Sequence, residues 1–291
     1  MSHLVSVAQL LHLQRTAERG EGAAVRLLDV RWRLDLPEGR PDYVRAHLPG
    51  AVYVDLEREL ARRADPRDGS HPLPTRADLQ RSARSWGISA GDIVVAYDDN
   101  RGVPAARLWW LLRGGGIDVR VLDGGIRAWA AELLPLESGD ARSAPGDVVL
   151  LGEGDRIGAL RIEDVDGFVD RGVLLDVRTP EQYSGAQVST GTVGGHIPGA
   201  VNLPAMAAVA ADGRLHRPEV LRRIFSTAGI RDGVPVAVYC SSGVAAMHTA
   251  LALEHAGYPA RVYAGSWSQW VNTRGRAVAT GALPAARLTR A

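Results

Sequence analysis

The chain has 291 residues, 46% hydrophobic and 23% charged, which suits about two folded domains and excludes a disordered polymer. Its net charge of +1 gives no electrostatic reason to expect nucleic acid or a membrane surface as a partner. All 34 basic residues are arginine, so lysine chemistry is excluded; with one cysteine, Cys240, neither a disulfide framework nor a cysteine-cluster metal site can form, and no cofactor is implied.

Met1–Gln14 carries apolar residues but no basic segment, long apolar core or small-residue cleavage site, and no apolar run is of membrane-spanning length. The expected location is cytoplasmic, where a lone thiol stays reduced. In the first half, Val25–Val30, Ile93–Tyr97 and Val119–Leu122 read as short strands. Arg76–Trp86 and Pro104–Arg113 read as helices, the first ending at Gly87 and the second running into Gly114–Gly116. This alternation predicts an α/β fold, a mainly parallel sheet flanked by helices, with ligands beyond the C-terminal strand ends. Glu137–Asp155 is rich in Gly, Ser, Asp and Pro and reads as a linker, leaving residues 1–136 as one domain. Residues 156–291 are the second, closing in a tail over Ala277–Ala291.

The two halves repeat each other. L-L-D-V-R occurs at Leu27–Arg31 and Leu174–Arg178, and H-x-P-G-A-V at His47–Val52 and His196–Val201. Val95–Asp98 (V-A-Y-D) parallels Ala237–Cys240 (A-V-Y-C), and Leu122–Trp129 parallels Tyr263–Trp270. Four landmarks in one order, 141 to 149 residues apart (129 to 270, 47 to 196), indicate duplication of a whole domain. The repeated histidines read as turn architecture, because only one half has the cysteine. Asp29/Arg31 and Asp176/Arg178 read as polar pairs at strand ends.

Chemistry concentrates at Tyr239–Ala246, Y-C-S-S-G-V-A-A. Val234–Tyr239 reads as a buried strand and Val244–His255 as a helix stopped by Gly257. Cys240 therefore sits where a strand feeds a helix, and amides at a helix start carry partial positive charge that favours a thiolate, the nucleophilic form. Ser241, Ser242, Gly243, Val244, Ala245 and Ala246 form a small-residue loop whose amides can cradle an anion. The bland reading, a buried cysteine acting as a small hydrophobe, stands beside this one. The strand–Cys–Ser-Ser-Gly–helix context weighs against it.

These motifs resemble the rhodanese superfamily in its tandem-domain form, the thiosulfate and 3-mercaptopyruvate sulfurtransferases. Tyr43–Val54 is similar to the family's N-terminal signature and Val262–Trp270 to its C-terminal one, with Gln269 where an acidic residue is usual. The resemblance implies a catalytically silent first domain, with Asp98 in the place of Cys240, and a second domain whose Cys240 accepts sulfur as a persulfide. The first loop, D-D-N-R-G-V, has one more residue before its Gly-Val than the second, and that extra residue is expected to misdirect its amides.

The resemblance further implies a small-molecule sulfur donor, thiosulfate or 3-mercaptopyruvate, and a thiophilic acceptor: cyanide, a small thiol or a reduced thioredoxin-like protein. C-S-S-G-V-A-A is similar to the loop of the mercaptopyruvate enzymes and lacks the basic residues of the thiosulfate-specific ones. Ala246 stands where related phosphatase-like domains need arginine, so phosphate-ester chemistry lacks its guanidinium clamp. The serine–histidine–aspartate relay of the mercaptopyruvate enzymes maps onto Ser242, His71 and Glu57. The two arginines that grip the substrate carboxylate in those enzymes are missing from Ser184–Gly195. That absence keeps two alternatives open: a weakly active or inactive sulfur-carrier or binding protein, and a thiosulfate-preferring enzyme that recruits Arg101.

Overall fold

The structure is a computed structural model that describes residues 3–63, 65–152, 158–188 and 193–284. The first half runs β1 (Leu4–Val5), α1 (Val7–Glu18), β2 (Val25–Asp29), α2 (Arg40–Arg45), β3 (Val52–Tyr53), α3 (Leu56–Glu59), α4 (Arg76–Ser85), β4 (Ile93–Tyr97), α5 (Val103–Arg113), β5 (Asp118–Leu122) and α6 (Gly125–Ala131). The second runs α7 (Ile162–Val169), β6 (Val173–Asp176), α8 (Pro180–Ser184), β7 (Val201–Asn202), α9 (Pro218–Ser226), β8 (Val236–Tyr239), α10 (Val244–His255), β9 (Ala260–Val262) and α11 (Ser266–Asn272).

Local chemistry sets many of these boundaries. Ser6 and Gln9 close a capping box on α1, as Thr179 and Gln182 do on α8, and the Thr75 hydroxyl accepts the Asp78 N–H at the start of α4. α10 ends where Gly257, at φ +89, lets its N–H reach Glu254 O and the Tyr258 N–H reach Leu253 O. That paired closure satisfies two orphan carbonyls.

Both sheets are parallel throughout, in the order β1-β5-β4-β2-β3 in the first half and β7-β6-β8-β9 in the second. Read from the opposite edge, β9-β8-β6-β7 repeats β5-β4-β2-β3. The sequence reading left the N-terminal β1 and α1 unassigned; β1 pairs with β5 and extends the first sheet by one strand. In the second, a single parallel bridge from Ala159 to Val262 stands at the corresponding edge.

The chain divides into two compact units. Unit 1 comprises Met1–Arg62, Leu73–Ile157 and Ala211–Leu215; unit 2 comprises Arg63–Pro72, Gly158–Ala210 and His216–Ala291. Unit 1 packs Leu27, Val95, Tyr97, Leu122 and Trp129 together, and unit 2 packs Leu174, Ala237, Tyr239, Trp267 and Trp270. Of the expected linker, residues 137–152 lie along unit 1: Glu137 bridges His47, Leu151 N–H donates to Gly115 O, and Val148 and Leu150 are buried. Ala279, within the expected tail, makes the matching bridge to His196.

The repeated histidines and Asp–Arg pairs are the joints of each unit. His196 stacks on Tyr183 with centroids 3.7 Å apart and donates from Nδ1 to Tyr183 O; His47 does the same with Tyr43. Burial lowers the basicity of His196, which suits a neutral ring used as a brace. Arg178 is buried against a fully buried Asp176, donates to both its oxygens and to Gly195 O, and lies 4.4 Å from the Trp267 ring centroid. Arg31 repeats this with Asp29, donating onward to Asp42 O and Ala46 O. Removing one partner of such a pair strands a buried charge, which costs roughly 3–5 kcal/mol. Arg178→Leu is therefore expected to destabilise unit 2 by about that much. Urea unfolding followed through tryptophan fluorescence measures it, and a midpoint equal to wild type would show the pair to be dispensable.

Candidate active site

Cys240 follows β8 directly and is buried. The loop to α10 turns at Gly243, whose φ of +87 makes an L side chain strained. A Cβ there would also stand 2.2 Å from Ala264 O, so glycine is required twice over. This turn brings the Gly243 N–H onto the Cys240 Sγ at 3.0 Å. Val244, Ala245 and Ala246 open α10, so the positive end of a twelve-residue helix lies immediately beyond that amide. Ser241 and Ser242 are half-buried and small.

The rest of the site comes from the start of α11, and the sequence reading missed it. Ser266 is buried, accepts the Cys240 N–H on Oγ at 3.2 Å, donates to Tyr263 O at 2.9 Å, and holds Oγ 4.0 Å from Sγ. It adopts φ +54, in the left-handed region that non-glycine residues seldom occupy. The Trp267 N–H then donates to Cys240 O and the Ser268 N–H to Ser241 O, each at 2.9 Å. Both faces of the cysteine loop are thus fixed: one amide points at the sulfur, and two carbonyls are tied away from it. The repeat itself carried the signal. Gly125 occupies the position of Ser266 in the first half, with φ +57, so only the cysteine-bearing half places a hydroxyl there.

Unit 1 shows what the same loop does without a thiol. The Asp98 carboxylate accepts the N–H groups of Asn100 at 2.7 Å, Gly102 at 2.9 Å and Ala105 at 3.0 Å. The expectation that the extra residue misdirects the amides is corrected: Arg101 absorbs it at φ +59, and three amides converge. They converge on a carboxylate of the chain itself, so the amides of the unit 1 loop are already taken.

The remaining candidates divide between the units. His71 is buried in unit 2, the unit of Cys240 and Ser242. Glu57 belongs to unit 1, where it accepts the Trp32 indole N–H at 2.8 Å, and Arg101 lies in the unit 1 loop just described.

Burial pushes the Asp98 carboxyl up from the ordinary 3.8 to about 6, outweighing the opposite pull of the three amides, while Asp99 adds to the rise. Because the folded state holds this proton more tightly, the stability linked to it is fully present below pH 3.8 and is lost as pH rises to about 6. The difference corresponds to about 3 kcal/mol. Relative to Asp98→Asn, wild type is expected to lose stability by that order between pH 4 and 7, read from unfolding midpoints across the range. A constant difference between the two proteins would refute the assignment.

A comparison with known families agrees with this architecture. The family profile described as "Rhodanese-like domain" matches residues 12–132 and again 162–273. The Mycobacterium tuberculosis protein named "Putative thiosulfate sulfurtransferase SseB" is 41% identical over 265 residues, covering 89% of this chain and 92% of that protein. The 3-mercaptopyruvate sulfurtransferase of Rattus norvegicus is 33% identical over 256 residues, 84% of each chain. The crystal structure of SseA from Escherichia coli, titled as a 3-mercaptopyruvate sulfotransferase, superposes with a TM-score of 0.76 at 27% identity, covering 92% of this chain and 99% of that one. This chain belongs to the rhodanese-like family, in its tandem-domain sulfurtransferase form.

Proposed function

We propose that Cys240 is the sulfur carrier, on the strength of one observation above all. The chain's single thiol sits at the positive start of a long helix with an amide hydrogen already on its sulfur. The thiolate attacks the outer sulfur of a donor; with thiosulfate, the S–S bond breaks, sulfite leaves with the bonding pair, and Cys240 becomes a persulfide. An acceptor nucleophile then takes the outer sulfur and returns the thiolate, so the kinetics are ping-pong. Gly243 N–H and the amides at the start of α10 stabilise the persulfide anion, as preorganised donors do elsewhere. The domain carrying Asp98 is silent in this scheme, and its first-half carboxylate fills the equivalent cradle. Cyanide, a small thiol or a thioredoxin-like reductant each has the chemistry of the acceptor. Among the described residues no helix is long and apolar enough to cross a membrane, and a cytoplasmic location is our reading of the lone reduced thiol.

The donor is thiosulfate or 3-mercaptopyruvate, and the second fits less well. Ser184 ends α8 near the place of a carboxylate-gripping arginine, its hydroxyl turned back to Glu181 O. Residues 189–192 of the same stretch lie outside the described residues, but none of Ser184–Gly195 is basic. A charge-assisted bond contributes roughly 1.5–3 kcal/mol, about one to two decades in affinity. Ser184→Arg is expected to lower KM for 3-mercaptopyruvate more than for thiosulfate in steady-state assays. Saturation of the wild type at low mercaptopyruvate would show a carboxylate grip elsewhere. The carrier role is tested by intact mass: wild type gains one sulfur atom on incubation with donor, and Cys240→Ser gains none and turns over no donor. Turnover by that variant would end the covalent scheme.

A further inference from the structure

Arg63–Pro72 lies in the N-terminal half of the sequence yet belongs to unit 2. Within it, Asp65–His71 forms a strap laid on the first turn of α11. The Ser70 N–H donates to Ser268 Oγ at 3.0 Å, and the Gln269 side-chain amide donates to Arg67 O at 3.2 Å. Gly69 is buried between them at φ +88; a Cβ there would stand 2.7 Å from Gly265 O and 3.0 Å from Ser268 Oγ. The approach is closer than any side chain at this position permits.

Ser268 faces both ways. Its hydroxyl accepts from the strap and donates to Gly265 O at 3.2 Å, which uses its one hydrogen. Its backbone N–H meanwhile holds Ser241 O, the residue next to the thiol, at 2.9 Å. The identity of the side chain at Gln269 has a chemical consequence for this contact. An amide can donate to the Arg67 carbonyl, whereas a carboxylate can only accept and would repel it.

We propose that the strap Asp65–His71 positions the cysteine loop, with Ser268 as the positioning residue that passes strap docking on to Ser241 and Cys240. The proposal rests on the reading of Cys240 as the sulfur carrier. A docked strap keeps the Gly243 N–H aligned on a shielded sulfur; an undocked one leaves the thiol more accessible and less well aligned.

The test uses the full chain as wild type, Ser268→Ala, Ser268→Thr and Gln269→Glu, with three measurements. Tryptic cleavage after the exposed Arg67 reports docking, iodoacetamide alkylation of the only thiol reports access, and intact-mass persulfide formation from thiosulfate reports alignment. In Ser268→Ala, cleavage and alkylation are expected to accelerate while the rate constant for persulfide formation falls about tenfold, the scale of one lost hydrogen bond, with KM nearly unchanged. Ser268→Thr, which keeps the hydroxyl, should restore all three. Gln269→Glu, on the exposed side of the contact, should reproduce the trend if Ser268→Ala fails to fold. Faster cleavage with both cysteine readings at wild-type values would overturn the proposal, as would no change in any reading. If wild type takes up no sulfur while cleavage and alkylation respond as described, the carrier reading falls and the positioning role stands.

Discussion

The loop after β8 has to turn tightly enough to bring a backbone hydrogen onto a sulfur, and the surrounding structure follows from that need. The turn requires a left-handed residue at Gly243 with no side chain, because Ala264 O is already in contact. With the loop drawn in, the carbonyls of Cys240 and Ser241 must find donors away from the thiol, and the N–H groups of Trp267 and Ser268 supply them. Buried carbonyls left without donors would each cost free energy comparable to a lost hydrogen bond. The start of α11 is therefore as much a part of the site as the cysteine loop.

Holding α11 in place is in turn the task of buried polar contacts at the strand ends. Arg178 spans from Asp176 at the end of β6 to the ring of Trp267 and to Gly195 O, tying strand, helix and the histidine turn together. The Tyr239 hydroxyl accepts the Ile197 N–H, linking the residue before the cysteine to the same turn. Burial raises the Tyr239 hydroxyl well above its ordinary range, so it stays protonated. The supports of the site are thus charged or hydrogen-bonded groups, each already engaged with a buried partner.

Comparison of the halves separates scaffold from chemistry. Sheet order, Asp–Arg pair, histidine stack and left-handed glycine all occur twice. The thiol and the Ser266 hydroxyl occur once, replaced in unit 1 by the Asp98 carboxylate and by Gly125. An aspartate in an amide cradle satisfies the same donors that a persulfide anion would, at the cost of burying a carboxylate. The two halves thus differ in what their loop amides meet: a carboxylate of the chain itself in unit 1, and the Cys240 sulfur in unit 2.

Much of this was legible in the sequence. The apolar runs at Ile93–Tyr97 and Val234–Tyr239, the helix over Val244–His255 and its glycine stop are short-range signals; the second run formed a strand over Val236–Tyr239, and the others kept their expected bounds. The duplicated L-L-D-V-R and H-x-P-G-A-V motifs pointed to two repeated domains, the alternation of strands and helices to an α/β fold, and one cysteine in a strand–helix turn marked the candidate nucleophile. What sequence could not supply is which backbone groups meet across long separations. Ser266 contacts Cys240 from 26 positions away, and Ser70 meets Ser268 across 198. No periodicity encodes such pairings. The membership of Arg63–Pro72 in unit 2, and of residues 137–152 along unit 1, was equally invisible, since composition reports only that a stretch is polar and rich in turn formers. Those assignments were decided by unpaired amides and carbonyls that only the folded chain brings within reach of each other.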